Sequence, residues 1–147
     1  MANVNRGSVR RSRRRLSLLV FLATLPFLVA ACGEGGIIAD AQTVKRGAEL
    51  YQANCQVCHG DAATGRGRVG NAPPHGPTGH TWHHADGQLT DIILGRLYYP
   101  GRTMPSFEGK LTEEDVQAIL AYFKTNWTAS QRAFQEEVTR NWEGSGR

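Results

Sequence analysis

The sequence has little cysteine and little methionine. Three cysteines stand in 147 residues, at positions 32, 55 and 58, and besides Met1 there is one methionine, Met104. An odd count rules out a fully paired disulfide framework. A structural zinc site needs a second ligand pair beside Cys55 and Cys58, and one distant thiol cannot supply it. A thioredoxin-like dithiol needs a β-α-β setting, and no alternating apolar run offers a strand. No internal repeat is present. No apolar run reaches the about 20 residues of a membrane helix; the longest, residues 16–31, has sixteen and contains Pro26.

One-sided charge is also missing from most of the chain. The formal charge of +4 comes from six arginines at positions 6, 10, 11, 13, 14 and 15. From Gly33 onward eleven Lys and Arg stand against thirteen Asp and Glu, a net charge of −2. The high isoelectric point is therefore no nucleic-acid footprint, and no nucleic-acid partner is expected. The basic start followed by the apolar run reads as a secretory signal peptide over residues 1–31; an uncleaved anchor is the other reading. Val29-Ala30-Ala31-Cys32 resembles a bacterial lipobox, in which the cysteine becomes a lipidated N-terminus. Ordinary cleavage near Ala31, with Cys32 incidental, stays open. Lipid on Cys32 would tether the chain to a membrane, since each buried CH₂ contributes about 0.8 kcal/mol. Residues 32–42 then form a Gly-containing linker.

What the chain does contain is Cys55-Gln56-Val57-Cys58-His59. Two cysteines three apart on a helical turn can each form a thioether to one haem, and the next histidine falls under the iron. C-x-x-C-H is the c-type haem attachment signature. The expected cofactor is one haem c, attached through Cys55 and Cys58 with His59 as axial ligand.

The length bounds the chain to one domain plus extras. The domain starts near Thr43, with a helix predicted over residues 43–54, where Val44, Gly47, Ala48 and Tyr51 share one face. Gly47 inside a helix costs about 1 kcal/mol against Ala, so another backbone or an aromatic ring is expected to pack there. Residues 60–79 carry too much Gly and Pro for a regular element, and so long a loop suits one edge of a large planar cofactor. Leu89, Ile92, Ile93, Arg96 and Leu97 predict a short helix over residues 87–97. Tyr98-Tyr99-Pro100-Gly101 predicts a turn, and residues 101–107 an extended loop. Thr112 with Asp115 predicts a capping box opening a helix that runs to about Asn126 on Val116, Ile119, Leu120 and Phe123. The domain ends at Trp127. Residues 128–147 form an extension, helical near residues 130–142, with Ala133, Phe134, Val138 and Trp142 available to lay it on the domain.

The iron needs a sixth ligand or an open site. Met104 leads: Pro105 fixes an extended backbone behind it, and a thioether favours reduced iron. His75, His80, His83 and His84 are the competing ligands.

Together these residues resemble a bacterial class I monohaem cytochrome c over residues 44–127. The resemblance rests on Gly47, Tyr51, Cys55, Cys58, His59 and Gly60 at their spacing. It rests also on Met104-Pro105-x-Phe107, and on Leu111-Thr112 with Asp115-Val116, Ile119-Leu120-Ala121 and Tyr122. It implies a small all-α bundle around haem, with Gly47 set against Tyr122 or Phe123 where the first and last helices cross. It implies a proline carbonyl accepting from His59, with Pro74 the choice and Pro73 the alternate. The run His80-Thr81-Trp82-His83-His84 resembles a subset of membrane-linked bacterial cytochromes c. There Trp82, His80 or His83 would donate to a haem propionate; a second metal on the histidines is the minor reading.

The expectation is an electron carrier rather than an enzyme. It would be exported, periplasmic or on the outer face of a bacterial membrane, and lipid-anchored. It would meet membrane-bound redox partner proteins through a small, weak interface. A haem enzyme or gas sensor needs a labile sixth position, and a dedicated subunit of a respiratory or copper-handling complex would differ only in its partner.

Overall fold

A computed structural model describes residues 38–65, 69 and 72–146. The signal-peptide, lipobox and most of the linker expectations, Cys32 among them, lie outside the described residues. Among the described residues there is no strand, and no helix is long and apolar enough to cross a membrane. The fold is a small all-α domain.

Helix α1 (Ala41–Asn54) starts two residues before Thr43. Asp40 is the cause: its Oδ1 accepts from the backbone N–H of Gln42 at 2.9 Å and Thr43 at 3.1 Å, satisfying donors that a helix start leaves orphaned. The single-turn helix α2 (Gln56–His59) follows, then, among the described residues, no helix or strand until a 3₁₀ turn at Thr81–His83. Helix α3 (Asp86–Leu94) is shorter than predicted. Gly95 at φ +83° ends it, so Leu97 lies outside and Arg96 is exposed. Leu94, at 1% exposure, joins Leu89 and Ile93 in the core instead.

Helix α4 (Glu113–Asn126) carries the predicted capping box. Thr112 Oγ1 accepts from Asp115 N–H at 3.2 Å, and Asp115 Oδ2 from Thr112 N–H at 3.1 Å. Helix α5 (Ala129–Gly144) has a second box from Thr128 and Gln131.

The core is built where α1 crosses α4. A Cβ on Gly47 would stand 1.9 Å from the carbonyl oxygen of Ala118, so the two backbones touch and only glycine fits. The partner is thus Ala118, one turn before Tyr122 and Phe123. One turn along α1, Tyr51 takes the aromatic contact, with ring centroids 5.8 Å from Tyr122 and 5.4 Å from Phe123. Tyr51, Leu94, Val116, Ile119, Leu120 and Phe123 are all at most 2% exposed. Arg46 on α1 reaches Asp115 on α4 with Nη2 to Oδ1 at 2.6 Å.

Helix α5 lies on the domain partly as expected: Val138 and Trp142 are half-buried, and Trp142 packs on Gly87, where a Cβ would come within 2.9 Å of its Nε1. Ala133 is exposed, and Phe134 is 44% exposed, touching the Trp82 and His83 rings by its edge. The buried residue is Gln135, at 1%.

Candidate haem site

The backbone bends between α1 and α2 so that Cys55 N–H still bonds Tyr51 O at 2.8 Å, while Cys58 and His59 N–H both turn back to Cys55 O at 3.1 and 3.0 Å. That one turn collects both thiols and the imidazole. Gly60 ends it, and the Tyr51 hydroxyl donates to Gly60 O at 2.8 Å, pinning the turn to α1. The role of this hydroxyl was not apparent in the sequence, where Tyr51 reads only as an apolar-face residue. Both cysteines are free thiols, Cys55 buried and Cys58 half-buried. Burial pushes the Cys55 thiol up to about 11, with Lys110 opposing and Cys58 adding to the shift.

His59 is buried, and its Nδ1 lies 2.8 Å from Pro73 O. With the proton on Nδ1 donated there, Nε2 keeps its lone pair for a metal. The acceptor is therefore Pro73 and not Pro74. The Pro74 carbonyl points elsewhere: it lies against Gly79, where a Cβ would come within 2.1 Å of it, and accepts from the Thr81 hydroxyl at 3.5 Å.

His75 packs between His59 and Phe123, with centroids 4.4 Å from each and rings inclined at 34° and 16°. Rings this close leave no room for an ion between them, so His75 would not share a metal with His59 from the opposite side. Its Nδ1 lies 2.8 Å from Thr81 Oγ1. Burial, helped by the nearby His59, pushes its pKa down to about 3, so it stays neutral. The Trp127 indole donates to His75 O at 2.8 Å. His80, His83 and His84 gather with Trp82: His80 stacks on His83 at 4.3 Å and Trp82 on His83 at 3.5 Å. Among the described residues no three His, Cys, Asp or Glu side chains converge where a metal ion would sit.

Met104 and Trp82 are both half-buried and pack against the hydrophobic core of the domain, of which Cys55 is a member. The Trp82 Nε1 atom is buried and has no hydrogen-bond acceptor among the described residues. Buried indole N–H groups normally find a partner, so this donor is open to an acceptor from beyond the described residues, a bound group's carboxylate included. Two thiols on one turn, an imidazole with Nε2 available, a thioether packed on the core and a buried N–H with no partner among the described residues fit a covalently held haem with its carboxylates.

Comparison with known proteins agrees. Residues 42–123 match the family described as cytochrome c oxidase, cbb3-type, subunit III. The chain is 29% identical over 94 residues to the cbb3-type cytochrome c oxidase subunit FixP of Azorhizobium caulinodans, covering 62% of this chain and 30% of that protein. It is 33% identical over 93 residues to a quinohemoprotein alcohol dehydrogenase of Comamonas testosteroni, covering 60% of this chain and 12% of the relative. It is 35% identical over 88 residues to the 1-butanol dehydrogenase (cytochrome c) of Thauera butanivorans, covering 59% and 12%. The chain thus spans less than a third of each of these relatives. No solved structure gives a significant match. The C-x-x-C-H turn, the helices that frame it and the match over residues 42–123 make this chain a member of the cbb3-type cytochrome c family, an electron-transfer cytochrome c domain.

Proposed function

We propose that the chain is a single-haem electron carrier with His59 and Met104 as axial ligands. Haem bound through Cys55 and Cys58 would supply an iron that cycles between ferrous and ferric states. The observation that carries the reading is His59, buried on the turn that bears both thiols with its Nδ1 committed to Pro73; Met104, half-buried on the hydrophobic core, supplies the thioether. Pro73 orients His59 and raises its donor strength. The Met104 thioether favours the reduced state, and with both axial positions taken no substrate position remains. Trp82 Nε1 donates to a haem carboxylate.

The carrier domain opens with α1 at Ala41, two residues before the boundary read from the sequence, and runs to Trp127; residues 128–147 are its extension, and the residues between Cys32 and the Asp40 cap are a linker. Residues 1–31 direct export, and lipid on Cys32 holds the protein at the outer face of a bacterial membrane. Two relatives are dehydrogenases and one an oxidase subunit by name, so the partner is a larger, membrane-bound redox protein, and tethering raises the effective concentration at which the two meet.

The test is spectroscopic. The oxidised protein should show the weak near-infrared band of sulfur ligation, and Met104→Ala should abolish it, lower the potential and let the reduced form bind carbon monoxide. An unchanged spectrum in that variant would exclude Met104. Separately, Cys32→Ser should release the protein from membranes; retention would end the lipid-anchor reading.

A further inference from the structure

The loop that carries Met104 has no regular structure to hold it. Its ends are fixed: Leu97 N–H bonds Asp91 O at 3.1 Å, Phe107 N–H bonds Ile93 O at 3.1 Å, and the Ser106 hydroxyl donates to Leu94 O at 2.5 Å. Between those anchors the described residues make one backbone–backbone bond, Arg102 N–H to Tyr99 O at 3.3 Å. Pro100 and Pro105 have no N–H to give. A methionine side chain is flexible, so a thioether stays on a metal only if the backbone behind it is fixed by something else.

Arg102 is that something. Its Nε donates to Met104 O at 2.8 Å, its Nη2 to Pro105 O at 3.1 Å and its Nη1 to Leu97 O at 3.3 Å. All three guanidinium nitrogens are used, and they join the start of the loop to the carbonyls on either side of the Met104–Pro105 peptide's far end. The guanidinium carbon also lies 5.9 Å from the Tyr99 ring centroid, within cation–π range. Three carbonyls at fixed relative positions match a rigid planar fork; an ammonium on a flexible stem cannot span them together.

We propose that Arg102 is a positioning residue for the sixth iron ligand: its guanidinium clasps the loop from Leu97 to Pro105 and so keeps the Met104 thioether on the iron. The inference rests on Met104 being that ligand. Arg102 acts through the Met104 backbone, so its loss affects ligand retention before it affects the fold.

The test compares haem-loaded Arg102→Ala, Arg102→Lys and Met104→Ala, reading the near-infrared band, the rate of carbon monoxide binding to the reduced form, and helix content. Arg102→Ala should keep its helices and its covalent haem. Its near-infrared band should fade, and carbon monoxide should bind at least about tenfold faster, since three hydrogen bonds from a charged donor are lost and one alone is worth about that factor. Arg102→Lys should not restore either property. If Arg102→Ala fails to accumulate, Arg102→Lys decides alone, since it keeps the charge and loses the fork. A native band and native carbon monoxide rate in either Arg102 variant overturn the clasp. If Met104→Ala itself retains the band, the ligand reading fails and the clasp falls with it; if only Met104→Ala loses the band, the ligand stands and the clasp alone is wrong.

Discussion

Two helices are laid onto the frame of this domain, and they are attached by opposite means. Helix α1 meets α4 by having nothing in the way: Gly47 lets its backbone reach Ala118 O. Helix α5 meets the segment between the 3₁₀ turn and α3 through a buried amide. Gln135 Nε2 lies 2.7 Å from Asp86 Oδ1, 3.1 Å from Thr139 Oγ1 and 3.2 Å from His84 O. Lys124 holds the other Asp86 oxygen at 2.5 Å, and Gln131 donates to Pro77 O at 2.8 Å. The first junction is specified by shape and the second by hydrogen-bond complementarity. The first lies wholly within residues 42–123, the stretch shared with the family, and the second joins that stretch, at Pro77, His84 and Asp86, to residues beyond it. Tight shape leaves one residue type at the crossing. Polar attachment lets a local extension be added, and it covers the Trp82 segment without repacking the core.

The largest effect should come from filling the crossing. Gly47→Ala sets a methyl against a peptide carbonyl that no side-chain rotation can move aside, so α1 must shift off α4. Overpacking of this kind should cost about 3 kcal/mol, and urea unfolding should show it as one cooperative transition at a lower midpoint. A loss below about 1 kcal/mol would mean that the helices separate easily, and the contrast with α5 would fail.

Gln135→Ala should act locally. The amide has two protons for three acceptors, and its removal strands Asp86 Oδ1 and His84 O. The cost should be about 1–3 kcal/mol, felt as faster hydrogen exchange along residues 129–144 while α1 and α4 stay protected. Equal acceleration in α1 would show that α5 is part of the main cooperative unit.

These junctions explain what was legible in the sequence. The C-x-x-C-H turn, the Thr112 box and the apolar stripe of α4 are written in local spacing, so they could be placed without a structure. Gly47 announced a close approach, and only the crossing geometry selected Ala118 over Tyr122 or Phe123. Pro73 and Pro74 carry the same chemistry one residue apart; their carbonyl directions differ, and sequence holds no sign of direction. Gln135 and Arg102 were missed because both act through backbone carbonyls and buried polar atoms, which hydrophobic periodicity cannot register. The apolar seam read on α5, Ala133, Phe134, Val138 and Trp142, is packed only in part, and a polar seam of Gln131, Gln135 and Thr139 runs beside it at helical spacing.

The smallest effect sharpens the same comparison through pH. Asp115 ties the shape-built junction electrostatically: the Arg46 guanidinium, and then the Thr112 backbone N–H, hold its carboxyl below the ordinary value of 3.8. A carboxylate whose folded pKa is depressed adds stability that is present above its unfolded pKa and lost as pH falls through the folded one. Arg46 is 63% exposed, so the pair contributes about 1 kcal/mol or less. Unfolding of the native protein and of Asp115→Asn should therefore differ by a constant amount above about pH 5 and converge below about pH 4. Taking the difference cancels His75 and every other titrating group the two share. The gap should also narrow at high salt, where an exposed guanidinium is screened. A gap that stays constant into acid would leave Arg46 without an electrostatic part, and the crossing would then be held by shape alone.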